Sequence, residues 1–431
     1  MSKLTPRIIN ITRPKALTSA TYPIVRLERD LAQLDDEVWS RRGQERTLQF
    51  FRQMAVRVPA YKHFLKDRGI DSKSIKNAKD LKRLPPLDKD NYLRQYPFDE
   101  LCWDGKFAEN QWVISATSGS TGQPCYFPRQ DSQDRQYALT AELYLRSNFR
   151  IHERTTLYIN AFAMGIWIGG LFTYEAVKTV AEKGEYALSI ASPGINKKEV
   201  INTVKNLGKY FDQVIIGSYP PILKDIIDDG LREGVDWKEY NLGIVFSAEG
   251  FSEDFRDYIV EHAGLDNPLM SNLNHYGTVD LGTMSHETPL SILIRRMAVK
   301  DPQLYRSVFG DTVKLPTLTQ YIPEMFYFEE EHGMLYCSSP SGWPLMRYDL
   351  KDNGGVISFT EMKQKFADNG LDLLKESEKA GIRHTVWNLP FVYVYERSDL
   401  AVTFLGFQIY PEPIRKALQD KKIMTELTGK F

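Results

Sequence analysis

A chain of 431 residues is too long for one ordinary hydrophobic core and implies two or more lobes. Its 42% hydrophobic and 26% charged residues are ordinary for a soluble globular protein, and a formal charge of −1 gives no electrostatic case for nucleic acid or an anionic membrane as main partner. Cys102, Cys125 and Cys337 are too few and too scattered for a disulfide framework or a cysteine-rich zinc site, and with neither a signal-peptide core nor a membrane-length apolar run a cytoplasmic protein is expected.

The first hundred residues read as mainly helical. Leu48, Phe51, Ala55 and Val58 recur at spacings of three and four on one helix face, and Pro59 marks a helix boundary or kink. The β-like stretch Gln111-Trp112-Val113-Ile114-Ser115 then leads into Thr117-Ser118-Gly119-Ser120-Thr121-Gly122-Gln123-Pro124. Glycines let backbone approach a ligand closely, successive N–H groups form an anion-binding concavity, and the hydroxyls add donors for phosphate oxygens. Surface turns share this composition. The stretch is not the GxxxxGK[ST] phosphate loop, since no lysine follows its second glycine.

From about residue 155, short apolar strands alternate with helices. Strands are expected at 156–159, 185–190, 213–217 and 242–246. The helices between and after them are expected at 170–181, around Val200, Val204, Leu207 and Phe211, around Leu223, Ile226, Ile227 and Leu231, and at 255–263. This alternation predicts a parallel α/β sheet, which binds ligands beyond the carboxyl ends of its strands. After about residue 310, aromatic segments at 325–328 and 334–337 predict a smaller antiparallel region, and the charged stretch 363–379 reads as an exposed helical insertion.

Four further segments read as strand-end loops. They are Ser247-Ala248-Glu249-Gly250-Phe251, Asn274-His275-Tyr276-Gly277-Thr278-Val279-Asp280, the stretch from Trp343 through Arg347 to Asp352, and Glu396-Arg397-Ser398-Asp399. Taken singly, each has a plain structural role: a turn, an ion pair, a cap. Taken in this order with the Thr117–Pro124 loop, they resemble the core motifs of the adenylate-forming superfamily, which includes acyl-CoA synthetases and adenylation domains. The phenylacetate–CoA ligase branch is the nearest in flavour, and the phrases Arg57-Val58-Pro59-Ala60-Tyr61, Leu84-Pro85-Pro86-Leu87-Asp88-Lys89 and Gly217-Ser218-Tyr219-Pro220-Pro221 extend the likeness through most of the chain.

The resemblance implies site residues. Ser118, Gly119, Ser120, Thr121 and Gly122 would hold the ATP phosphates, with Gln123 where the family commonly has lysine. Ser247, Ala248 and Glu249 would line the adenine, and His275, Tyr276, Gly277 and Thr278 would complete the nucleotide site, Tyr276 offering its flat face to the base. Asp280 stands where the family has a glutamate that binds magnesium, and Val279 where it has Thr or Ser. Thr121 and Asp280 are thus the expected catalytic residues. Asp352 would accept hydrogen bonds from the ribose hydroxyls, Arg397 would also reach the ribose, and Asp399 would be the hinge to a carboxy-terminal lid. Met164, Ile166, Trp167, Gly169, Gly217, Ser218 and Tyr219 would shape an apolar or aromatic-friendly acid pocket, although the same residues read equally well as the core of a strand–helix turn.

The expected fold is α/β. A helical lead-in (1–110) precedes an α/β nucleotide- and substrate-binding core (111–310), a β-rich subdomain with the helical insertion (311–398), and a hinge with the start of a truncated lid (399–431). The lid lysine of the family has no counterpart here, and the ending Gly429-Lys430-Phe431 reads as an interruption. The expected activity is ATP- and Mg2+-dependent activation of a small carboxylic acid through an acyl-adenylate, followed by thioester formation with CoA or a phosphopantetheine carrier protein. The alternatives are an amine or other non-thiol acceptor, and a nucleotide-binding scaffold without catalysis.

Overall fold

The computed structural model describes residues 16–117, 124–312 and 314–397, and in the carboxy-terminal stretch residues 402–404, 407–409, 417–420 and 422. The helical lead-in consists of α1 (Ile24–Gln33), α2 (Asp36–Arg57), α3 (Pro59–Asp67) and the short α4 (Phe98–Leu101). Pro59 sits at the first turn of α3, where its missing N–H costs nothing, so it is a boundary between helices rather than a kink within one. A hairpin of β1 (Val113–Ala116) and β2 (Tyr126–Arg129) follows, paired from Val113↔Arg129 to Ala116↔Tyr126.

Next come α5 (Asp131–Ser147), β3 (Thr156–Asn160), α6 (Ile168–Glu182), β4 (Leu188–Ala191), α7 (Lys197–Leu207), β5 (Gln213–Ser218), α8 (Pro220–Arg232), β6 (Leu242–Phe246), α9 (Glu253–His262) and β7 (Asn272–Thr278). β3 to β7 form the expected parallel sheet, in the order β4-β3-β5-β6-β7. The strands are apolar on both faces because both are covered. Ile159, Val214, Ile216 and Ile244 pack with residues of α7, α8 and α9, while Tyr158, Ile215 and Val245 pack under α5 and α6.

The sheet does not stop there. β8 (Gly282–His286) pairs antiparallel with β7, and after α10 (Pro289–Lys300) and α11 (Pro302–Phe309) the chain adds β9 (Thr317–Gln320), β10 (Tyr327–Glu331), β11 (Met334–Ser339), β12 (Leu345–Ile357) and, beyond α12 (Phe359–Asp368) and α13 (Leu373–Lys379), β13 (Phe391–Arg397). All join one eleven-stranded sheet in the order β10-β11-β12-β13-β9-β8-β7-β6-β5-β3-β4. A separate pair, β14 (Val402–Phe404) and β15 (Phe407–Ile409), follows. The lead-in helices bury Trp39, Phe50, Phe51, Tyr61 and Phe64 against the antiparallel half, in a cluster shared with Phe328, Leu335, Met346 and Tyr348.

Two expectations are corrected. Residues 363–379 are not an exposed insertion, because the helix begins earlier, at Phe359. Phe359, Met362 and Phe366 lie on one buried face of α12, and with Leu373 of α13 they pack with Leu290, Ile294 and Leu304. The segments around Tyr276 and Asp352 are not loops but parts of β7 and β12. Among the described residues, no helix is long and apolar enough to cross a membrane.

Candidate active site

The carboxyl ends of β5, β6 and β7 converge with the start of the β7–β8 turn. After β6, Ser252 caps α9 by accepting from the Phe255 N–H at 3.1 Å, and this fixes where residues 247–251 enter the helix. Ala248 within that loop has φ of 73°, a left-handed conformation costly for a residue with a Cβ. Along β7, side chains alternate. Asn274 and Tyr276 face the site, whereas His275 turns into the core beside Tyr137, Tyr144 and His286. Burial, reinforced by His286, drives the pKa of His275 down to about 3, so a neutral packed imidazole stands where a nucleotide contact was expected.

The Tyr276 hydroxyl donates to Asp352 at 2.6 Å, with both residues buried, and its ring stacks on Phe328 at 6.1 Å. In the β12–β13 ladder, Asp352 lies opposite Arg397. The fold therefore brings the expected base-stacking ring, the expected ribose acid and the backbone of Arg397 together from positions 276, 352 and 397. Gly277 is required by its hairpin, since a Cβ there would meet the Gly282 carbonyl at 2.5 Å. The Thr278 hydroxyl accepts from the Leu281 N–H at 3.2 Å.

Asp280 lies in the turn that follows, and the Lys89 ammonium stands 3.7 Å from its carboxylate. Lys89 arrives from a segment that adds itself to β12. The Leu87 N–H donates to the Arg347 carbonyl at 3.2 Å, and the Asp349 N–H to the Leu87 carbonyl at 2.8 Å. Arg347 locks that docking with bonds to the carbonyls of Lys82 and Leu84. Lys351 spans Asp88 at 3.1 Å and Asp349 at 2.7 Å. Arg347 and Lys351 both take positive φ, 47° and 59°, where β12 bulges against β11 just before Asp352. Burial holds the Tyr348 hydroxyl protonated, and the hydrogen-bonded Asp280 carboxylate pushes its pKa further up.

On the expected acid side, Gly217 and Tyr219 meet Phe162 and Gly169. Tyr219 and Phe162 stack edge to face at 5.1 Å, and a Cβ on Gly169 would come within 3.0 Å of the Tyr219 hydroxyl. A Cβ on Gly217 would lie 2.4 Å from the Tyr158 hydroxyl and 2.9 Å from the Phe162 ring. Burial raises the pKa of Tyr219, with the Ala163 N–H lowering it and the Glu249 carboxylate raising it. Ile166 and Trp167 are 45% and 41% exposed at the rim, next to β1, whose Ala116 N–H donates to the Ile166 carbonyl. Met164 packs near Asn160. Ser218 is fully buried and spends its hydroxyl on the Ala161 carbonyl at 3.0 Å, so it supports the wall from behind.

Ser118, Gly119, Ser120, Thr121 and Gly122 lie outside the described residues, as do Asp399 and the side chain of Arg397. The sequence reading missed Lys89, Asn274, Phe162 and Tyr158. Asn274 is the most informative. Its Nδ2 donates to the Glu249 carbonyl at 3.0 Å, and its buried Oδ1 has no hydrogen-bond partner among the described residues. A buried carbonyl oxygen of this kind beside a loop is available to a ligand N–H or a water.

No protein-family model matches the chain. The curated phenylacetate–coenzyme A ligase of Thermus thermophilus is 25% identical over 223 residues, 51% of this chain and 46% of that protein, so the chain aligns with less than half of that relative. A solved open form of 2-hydroxyisobutyryl-CoA ligase, in complex with 2-HIB-AMP and CoA, has a TM-score of 0.60 at 15% identity, covering 96% of this chain and 85% of that one. The postadenylation state of that ligase, with R3-HIB-AMP, gives 0.61 at 14% identity over 97% and 77%. The chain thus shares the fold of that CoA ligase over nearly its whole length, and a likeness in sequence to the phenylacetate–coenzyme A ligase over about half of it.

Proposed function

We propose that the protein activates a small carboxylic acid with ATP and passes the acyl group to a thiol, that of CoA or of a carrier protein. The observation that carries this reading is the buried Tyr276–Asp352 contact at the carboxyl edge of the sheet, with the Lys89–Asp280 pair on the neighbouring turn. Tyr276 would stack on the adenine, Asn274 Oδ1 would accept from its amine, and Asp352 would accept from the ribose hydroxyls. The substrate carboxylate would lie near Tyr219, Phe162 and Trp167.

In the first step a carboxylate oxygen attacks the α-phosphorus, an O–P bond forms, the bond to the β-phosphate oxygen breaks, and pyrophosphate leaves. In the second, the thiolate attacks the acyl carbon and AMP leaves. Both steps depend on positioning and charge neutralisation more than on a protein nucleophile.

Among the described residues no group of three or more His, Cys, Asp or Glu could hold a metal ion by itself. That fits magnesium, which commonly binds through one or two carboxylates and the substrate phosphates; Asp280 would supply the carboxylate, and the ion would neutralise phosphate charge. Lys89, released from Asp280, would then face the phosphate oxygens.

The test is pyrophosphate exchange into ATP against a panel of small carboxylic acids, followed by thiol and amine acceptors. Acid-dependent exchange with thioester product supports the proposal. Exchange with product only from amines moves the acceptor, and no exchange with any acid refutes carboxylate activation.

A further inference from the structure

Behind the 247–251 loop lies a fully buried cluster of charges that the proposed chemistry does not use. Arg295, from α10, places one guanidinium nitrogen 2.9 Å from Glu287 and 2.9 Å from Glu253. Its other terminal nitrogen donates to the Phe251 carbonyl at 2.7 Å. Arg256, from α9, reaches the same Glu287 oxygen at 2.8 Å and Glu253 at 2.9 Å, and it also bonds Asn272 at the start of β7. Burial opposes the charge on Arg256, but the two carboxylates outweigh it and hold its pKa above the ordinary value. The second oxygen of Glu287 accepts from the Asn274 N–H at 2.9 Å.

Besides the bond to the Asn272 side chain, the cluster thus bonds two backbone groups, the Asn274 N–H and the Phe251 carbonyl. Asn274 then pins the Glu249 carbonyl through Nδ2, with Oδ1 accepting no bond among the described residues. Immediately before the anchored Glu249 sits Ala248 in its left-handed conformation, which persists only where the surroundings over-determine it.

We infer that Arg295 and Glu287 are positioning residues that set the 247–251 loop and the Asn274 carbonyl oxygen for recognition of a purine bearing an exocyclic amine. This rests on reading that loop and Asn274 as the wall of a nucleotide site. The cluster reaches that site through the loop and β7, the walls read as its base side. Its loss therefore weakens AMP and blurs the choice between a 6-amino and a 6-oxo purine, while pyrophosphate binding stays as it was.

The test is Arg295→Met. It leaves no carboxylate bare, because Glu287 keeps Arg256, and Glu253 keeps Arg256 and Arg296 at 3.3 Å. By calorimetric titration of the folded variant, AMP should bind about tenfold more weakly, the scale of one hydrogen bond to a charged group. The preference for AMP over IMP should shrink by a similar factor, and pyrophosphate affinity should stay within twofold of the parent. Arg295→Lys keeps the charge but not the fork. It should show a smaller loss of the same pattern, and it stands in should the methionine variant fail to fold.

AMP affinity and AMP/IMP preference unchanged in a variant with lowered melting temperature would overturn the inference and leave the cluster as packing. Equal losses for AMP and pyrophosphate would overturn it too. A parent protein that binds neither ligand refutes the nucleotide reading itself, and the inference falls with it.

Discussion

Replacing Asp352 by alanine should cost nucleotide affinity through the ribose alone. The 2.6 Å bond from Tyr276 puts Asp352 among charge-assisted acceptors, and burial of both residues excludes the water that would otherwise compensate. Two ribose hydroxyls donating to that carboxylate represent roughly 3 kcal/mol in total, on the order of 100-fold in Kd. Tyr276→Phe keeps the ring and its stacking on Phe328. It should lower the melting temperature, as loss of a bond to a charged acceptor implies, yet leave ATP affinity within about threefold.

The discriminating assay is a cycle with 2′,3′-dideoxy-ATP. The parent should prefer ATP over the dideoxy analogue by roughly the same 100-fold, and Asp352→Ala should bind the two alike. Persistent discrimination in Asp352→Ala would remove Asp352 from the ribose. A Tyr276→Phe loss as large as that of Asp352→Ala would mean that the hydroxyl, not the carboxylate, meets the sugar.

Three further outcomes follow from the geometry. Lys89→Ala removes the ammonium 3.7 Å from Asp280, so the half-saturating magnesium concentration for pyrophosphate exchange should fall while the KM for ATP rises about tenfold; a higher magnesium requirement refutes competition at Asp280. Gly217→Ala places a methyl 2.4 Å from the Tyr158 hydroxyl and should destabilise the fold by about 1–3 kcal/mol, read as a lowered melting temperature, with larger acids rejected first. His275 and His286, neutral and buried with pKa values of about 3 and 4, are depressed from an ordinary 6.5 by burial, so the unfolded chain binds more protons. Their contribution, on the order of 3 kcal/mol each, is complete above pH 6.5 and is lost as pH falls toward 3. A His275→Phe, His286→Leu double variant should flatten the melting temperature against pH between 5 and 6.5, and an unchanged slope refutes this assignment.

What the sequence disclosed and what it hid divide along the range of the interactions. The parallel strands were legible because both faces of the sheet are covered, so Val214, Ile215 and Ile216 form one uninterrupted apolar run. The strand character of β7 was hidden by the polar and small residues Asn274, His275, Gly277 and Thr278, although the first two are buried and the last two half-buried. The buried face of α12 was lost to a window that opened at residue 363, after Phe359 and Met362 had passed.

Lys89 and Asp280 are 191 positions apart, and nothing local says that Leu87 will pair beside Tyr348; only the docked strand makes Lys89 part of the site. The buried cluster is the hardest case. Glu253 and Arg256 stand three apart on α9, a spacing that in sequence describes a solvated helix face. Only the fold shows that this face looks inward, where Glu287 and Arg295 complete it and where its two bonds to backbone fall on the loop that follows β6 and on β7. Charges placed there are costly unless every one is paired, and here each guanidinium and carboxylate among the four is. A hydrophobic cluster could fill the same volume, but it could not donate to the Phe251 carbonyl or accept from the Asn274 N–H. Those two bonds are the physical reason to expect the cluster to act on base recognition as well as on stability.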